Sequence, residues 1–225
     1  MMAGMRTAAA APIPDSPAKP LLRGVSHEIA AFVALAAWIA LVAVAPTSRG
    51  RAAANVYGAS LFTLFCVSAL YHRRNWLPRA RAWMRRLDHS AIFVLVAGTY
   101  TPLCLLLPNG SGLRLLAIVW AGAAVGIVQS ILWVHAPKAL VAGTYVALGW
   151  AVLPVLPTLG AVLGTPALVL LGAGGAAYTL GAVIYATRRP DPFPRVFGYH
   201  EVFHALVIAA AACHFAVVAR AVPGL

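Results

Sequence analysis

Acidic residues are nearly missing from this chain. Five Asp and Glu stand against 17 Lys and Arg in 225 residues, and charged residues make up only 10%. A soluble domain carries roughly a quarter charged residues, so a water-facing globule is excluded. In a soluble protein the net charge of +12 would raise nucleic-acid binding. Here the arginines stand between apolar runs and not on one face of a domain, which argues against a nucleic-acid partner. Cysteine is scarce as well. Cys66, Cys104 and Cys213 are odd in number and lie within apolar runs, so no disulfide framework is implied and they read as small buried hydrophobes. The Ala- and Pro-rich residues 1–22 lack the apolar stretch of about 7–15 residues that a signal peptide needs. They read as a short disordered cytoplasmic tail ahead of a membrane domain over 23–225. No internal repeat is visible.

Apolar residues fill the rest. The chain is 62% hydrophobic with a mean hydropathy of +0.85. Seven apolar windows run at approximately 28–46, 53–71, 88–107, 114–134, 139–157, 165–186 and 199–220. Each is near the ~20 residues that cross a hydrocarbon core. The expectation is an all-α integral membrane protein built as a bundle of seven transmembrane helices. Pro and Gly inside "LPVLPTLG" and "GAGGAAYTLGA" would break soluble helices but are tolerated in membrane bundles. The second stretch also offers small residues for close helix packing. Pro154 and Pro157 are expected to end the fifth span early.

Charge sets the orientation. With seven spans, Arg49, Arg51, Arg114 and Arg220 fall on one side and the remaining thirteen of the 17 basic residues on the other. The positive-inside rule then places the N-terminus in the cytoplasm and the C-terminus outside; the Arg- and Ala-rich composition suggests a GC-rich bacterial genome, so the membrane expected is the bacterial cytoplasmic one. The longest loop, "HRRNWLPRARAWMRRLD", interleaves Arg with Trp76, Leu77, Trp83 and Met84. It can be read as a basic amphipathic segment on anionic lipid. Ordinary positive-inside signal with aromatic anchoring explains it equally and is preferred, because topology alone demands these arginines.

Ionisable groups in membrane spans are costly and mark function. Glu28 lies near the start of the first span, His72 ends the second, Asp88 opens the third, and His200, Glu201 and His204 open the seventh. The second span ends on the cytoplasmic side, where the third and seventh begin. His72, Asp88, His200 and His204 therefore share one depth. His200 and His204 are one helical turn apart and share a face. With His72 they form a three-nitrogen set of the kind that holds catalytic Zn²⁺ with an open position. Asp88 suits an outer partner that holds or deprotonates a water. Ser68, four residues before His72 on the same face, can orient the site or a substrate carbonyl. Zinc, hydroxide, one carboxylate and three neutral imidazoles sum to zero charge, which a low-dielectric setting tolerates.

Other readings of these residues are weaker. H-E-x-x-H at His200, Glu201 and His204 is also the zinc-protease spelling, but the further protease ligand is absent, and Glu201 is read as a polar contact. His214 lies ten residues past His204, about 15 Å deeper, too far to share a metal. A lone intramembrane His is ordinarily a hydrogen-bonded packing residue. His27, His89 and His135 read as interfacial residues.

"LRGVSHEIA", "SALYH", "LDHSAIFVLVAGTYTP" and "RPDPFPRVFGYHEVFHALVIAAAACHF" together resemble the hemolysin III family. That family is the bacterial branch of the progestin and adipoQ receptor family, which includes the adiponectin receptors. The resemblance spans approximately 22–220, with four motifs in order. It implies a seven-helix membrane fold with a cytoplasmic N-terminus. It further implies zinc on His72, His200 and His204, Asp88 at the zinc-bound water, and Ser68 as the motif serine. Receptor relatives and the similar alkaline ceramidases imply zinc-dependent hydrolysis of a lipid amide or ester, with membrane lipid as the partner. The bacterial branch's name implies instead a pore or cytolysis; non-catalytic regulation of membrane lipid is a third expectation. No amphipathic pore-forming segment is present, so hydrolysis is placed first.

Overall fold

A computed structural model describes residues 19–108 and 110–225. The expected tail lies outside the described residues as far as 18. Beyond it, the Leu21 and Leu22 amides donate to Arg195 O and Val196 O at 3.0 and 3.1 Å. These bonds tie the segment before the first helix to the loop before the last.

Among the described residues there are eight α-helices: α1 (Val25–Val44), α2 (Ser48–Arg73), α3 (Pro78–Leu105), α4 (Ser111–Leu132), α5 (Lys138–Gly149), α6 (Leu156–Leu163), α7 (Thr165–Thr187) and α8 (Tyr199–Ala221). The described residues form an all-helical fold, and six helical units among them are long and apolar enough to cross a membrane. One of these is the continuous run Lys138–Leu163, in which a 3-10 segment, Trp150–Val155, joins α5 to α6. The expected early end at Pro154 and Pro157 does not occur. Pro154 cannot donate an amide hydrogen, so the helix tightens locally instead of stopping. Tyr100 takes up the carbonyls freed at the transition: its hydroxyl donates to Gly149 O at 2.7 Å.

Of the seven expected spans, the one on α3 falls outside that apolar set. α3 carries Asp88, His89, Ser90, Thr99, Tyr100 and Thr101, and it is enclosed by its neighbours. Thr99 and Thr101 donate back to Leu95 O and Ala97 O one turn earlier, which satisfies their hydroxyls without water. The basic stretch before Asp88, read from sequence as a loop, is the beginning of this helix. Pro78 occupies its first turn, where the missing amide costs nothing.

The bundle is apolar on the outside. Phe32 on α1 and Val125 on α4 are 73% and 70% exposed, and only 22% of the apolar window of either helix is buried. On α2 the buried share is 56%. Large side chains facing outward around an all-helical bundle are what a lipid solvent requires, because helices satisfy their own backbone groups there. The protein is a multi-pass membrane protein. α1 packs on α2, α2 on α3, α3 on α4 and α7 on α8, and α8 also touches α1 and α3. One core lies among α1, α2, α3 and α8 around Tyr57, Phe65 and Val218, and a second around Phe93, Val119 and Leu159. The small residues of α7 serve the expected close approach. A Cβ on Gly174 would collide with the ring of His214 on α8.

Candidate metal centre

Three helix ends and the passing α3 meet at one end of the bundle. α2 finishes there with His72, α8 starts there with His200 and His204, α3 passes through with Asp88, and α1 begins there. The start of α8 is fixed by two acceptors for its orphan amides. Gly198 N donates to Glu201 Oε2 at 2.8 Å and Tyr199 N to Asp191 Oδ1 at 2.7 Å. Glu201 also pairs with Arg23, and it is 1% exposed. The acid of the H-E-x-x-H spelling is thus spent on holding the helix start to the segment before α1, as a polar contact.

The three histidines drawn from opposite ends of the sequence come together. One nitrogen from each of His72, His200 and His204 lies within 4.8 Å of the others, a group that could hold a metal ion. His72 Nε2 and His200 Nε2 are 3.1 Å apart. Asp88 Oδ2 lies 3.9 Å from His72 Nε2. Three imidazoles are a donor set that suits zinc. Nδ1 of His204 has no hydrogen-bond partner among the described residues although the residue is buried. The cluster therefore keeps polar capacity that the protein does not use, as a ligand-binding centre should. His214 stays apart, as expected from its depth: its Nε2 donates to Leu171 O at 3.2 Å.

One member was not expected. His27, read from sequence as interfacial, is 2% exposed. Its ring stacks on that of His204, with centroids 3.7 Å apart. Its Nδ1 is 2.9 Å from Ser68 Oγ, so the serine is held by α1 as well as by its own helix. The entry of α1 makes this possible. Gly24 has φ +80°, which L side chains rarely adopt, and a Cβ there would sit 2.8 Å from His72 Cβ. Only glycine lets the chain turn into α1 so close to the cluster. Its place near the start of the first span sets its depth, but no local pattern in the sequence signals its burial against His204.

Below the histidines opens a cavity of about 360 Å³. His72, Asp88, His200, His204, Ser68 and His27 all line it. Its walls run down past Ile92, Val96, Val146 and Val207 to Trp150 and His214. Its outer end is cationic, with Lys19, Arg23, Arg81, Arg85 and Lys138. Burial and the neighbouring Arg81 and Arg23 charges hold the Lys19 ammonium below its usual range. The arrangement can place a polar, reactive centre between a positive rim and an apolar pocket.

Known proteins share this chain's pattern. It is 33% identical over 202 residues to hemolysin-3 of Bacillus cereus, covering 87% of this chain and 88% of that protein. It is 30% identical to a hemolysin-3 homolog of Bacillus subtilis (strain 168), over 87% and 90% of the two chains. It is 28% identical to the human monocyte to macrophage differentiation factor, over 71% and 66%. Residues 16–215 match the family described as haemolysin-III related, and the chain belongs to that family.

Proposed function

We propose that this chain is a zinc-dependent hydrolase of a lipid amide or ester, acting at the inner face of a bacterial cytoplasmic membrane. Its helices form seven spans, α3 included, with the N-terminus inside and the C-terminus outside. The observation that carries the reading is the meeting of His72, His200 and His204 with Asp88 at the top of an amphipathic cavity. Both ends of the chain must fold to one point to make it.

Zinc held by the three imidazoles would supply Lewis acidity toward a carbonyl and lower a water's pKa to about 7. The chain's own groups do the rest. The histidines serve as neutral donors from α2 and α8. Asp88 takes the proton that water loses as it attacks the carbonyl, and returns it to the leaving nitrogen or oxygen. Ser68, fixed by His27, orients the carbonyl. The apolar walls keep bulk water from the reacting centre and accept the acyl chain. Leu95, Val96 and Val207 below the histidines favour a chain over a hydrated ion path, which supports hydrolysis ahead of a pore.

The test is release of fatty acid from a broad panel of lipid amides and esters by purified protein in liposomes. Release that stops on chelation and returns with added Zn²⁺ is expected. Zinc-loaded protein that cleaves nothing in the panel would end this reading.

A further inference from the structure

Four of the cavity's five cations have no carboxylate in salt-bridge contact among the described residues. Among the described residues Arg23 pairs with Glu201 and Arg73 with Glu28. Lys19, Arg81, Arg85 and Lys138 line the cavity without a carboxylate in salt-bridge contact, and Asp88 is the acidic residue in the lining. Lys138 rests against Tyr185 and Tyr199, and Arg81 lies over Tyr71. These contacts hold Lys138 and Arg81 without a counter-charge, and the Lys19 ammonium donates to neutral acceptors, Arg74 O at 3.1 Å and Asn75 Oδ1 at 3.3 Å.

The order along α3 is informative. Arg81, Arg85, Asp88, Ile92 and Val96 recur every three or four residues, and all of them line the cavity. One stripe of one helix therefore reads cation, cation, carboxylate, apolar, apolar. Arg74 and Arg79, at the same end of the bundle, do not line the cavity, whereas Arg81, itself exposed, and the half-buried Arg85 do. Positive-inside topology demands basic residues at this end but does not demand that two of them line the cavity above the histidines. From His204 to His214 the helix rises about 15 Å, half of a ~30 Å hydrocarbon core and so the depth of one leaflet's acyl chain.

We propose that the cavity selects an acyl-chain amphiphile whose headgroup carries a phosphate. Arg81 and Arg85 grip the phosphate, Lys19 and Lys138 add charge, and the chain lies along Ile92 and Val96 toward Trp150. A phosphate has oxygens enough for two guanidinium forks, whereas one carboxylate is filled by a single fork. This names the substrate class for the hydrolase reading and rests on it only in sharing the site, since binding does not require turnover.

The experiment uses the full chain in nanodiscs of zwitterionic lipid and uncleavable alkyl probes with brominated chains. Binding is read as quenching of Trp150, taken as the difference between the wild-type protein and Trp150→Phe. The probes are an alkyl phosphate, the same chain on a carboxylate and on maltoside, with inorganic phosphate as competitor. The alkyl phosphate should bind at least about tenfold tighter than the maltoside and the carboxylate. Arg81→Gln with Arg85→Gln should remove that preference and leave maltoside binding as it was. Arg74→Gln with Arg79→Gln should keep it, and unchanged thermal midpoints certify the fold of both pairs. Equal binding of phosphate and maltoside probes overturns the proposal, as does equal loss in the two double variants. Equal binding of the carboxylate overturns the phosphate assignment, and displacement by inorganic phosphate at the probe's own concentration overturns the lipid. A preference for phosphate without hydrolysis of any lipid would support this inference while removing the hydrolase.

Discussion

The ring of His27 lies flat on the ring of His204, with the two planes 6° from parallel. His27 belongs to the first helix and His204 to the last. Their stack, with the His27–Ser68 contact, joins three helices behind the candidate ligands. Groups that orient a metal ligand are worth roughly 10- to 100-fold in affinity. His27→Ala should weaken zinc binding about tenfold by chelator competition. His27→Phe keeps a stacking ring and should recover most of that loss. Wild-type affinity in His27→Ala would show that the stack does not support the ligands.

The ligand set makes its own prediction. Purified protein should hold one zinc by elemental analysis. His200→Ala and His204→Ala should lose it and His72→Ala should reduce it. His214→Ala should keep it, because that side chain is engaged with Leu171 O. Loss of zinc in His214→Ala with retention in His72→Ala would reverse the assignment.

Glu201 separates a structural acid from a protease-type base. Removing one partner of a buried pair costs about 3–5 kcal/mol. Gln keeps a hydrogen-bonding side chain and Arg23 is 20% exposed, so Glu201→Gln should cost less, about 1–3 kcal/mol. The thermal midpoint should fall while hydrolysis per zinc-loaded molecule stays near wild type. An unchanged midpoint with lost turnover would make Glu201 a catalytic base.

The six apolar helical units were legible because bilayer thickness imposes a length on any apolar helix, and the meeting of His72 with His200 and His204 was legible because alternating spans bring the end of α2 and the start of α8 to one face. His27 was not. What buries it is the left-handed turn at Gly24 and the bonds from Leu21 and Leu22 to residues 195 and 196, contacts between opposite ends of the chain that no local pattern encodes. The α3 start was misread as loop because a run of arginines hides its helical period; Arg81 and Arg85 take their place in it only once the cavity face is known. Pro154 misled for a different reason. The 3-10 segment Trp150–Val155 carries the helix past it, with Tyr100, from a different helix, bonded to Gly149 O where that segment begins.

Topology follows from the charge asymmetry. Reporter fusions should place the N-terminus in the cytoplasm and the C-terminus outside. The reverse result would put the cationic rim on the outer face and contradict both the orientation and an inner-face substrate.

Asp88 is where enzyme and pore part. A pore needs a hydrated path and no proton acceptor beside the histidines. The hydrolase needs the Asp88 carboxylate, 3.9 Å from His72, and zinc binding does not require it as a ligand. The decisive measurement compares wild type and Asp88→Ala in liposomes that contain both a cleavable lipid and trapped dye. The expected result is equal zinc content, no dye release from either protein, and loss of lipid cleavage in Asp88→Ala by at least about 100-fold. Equal dye release from both proteins, with no lipid cleaved by either, would contradict the hydrolase and leave the pore in its place.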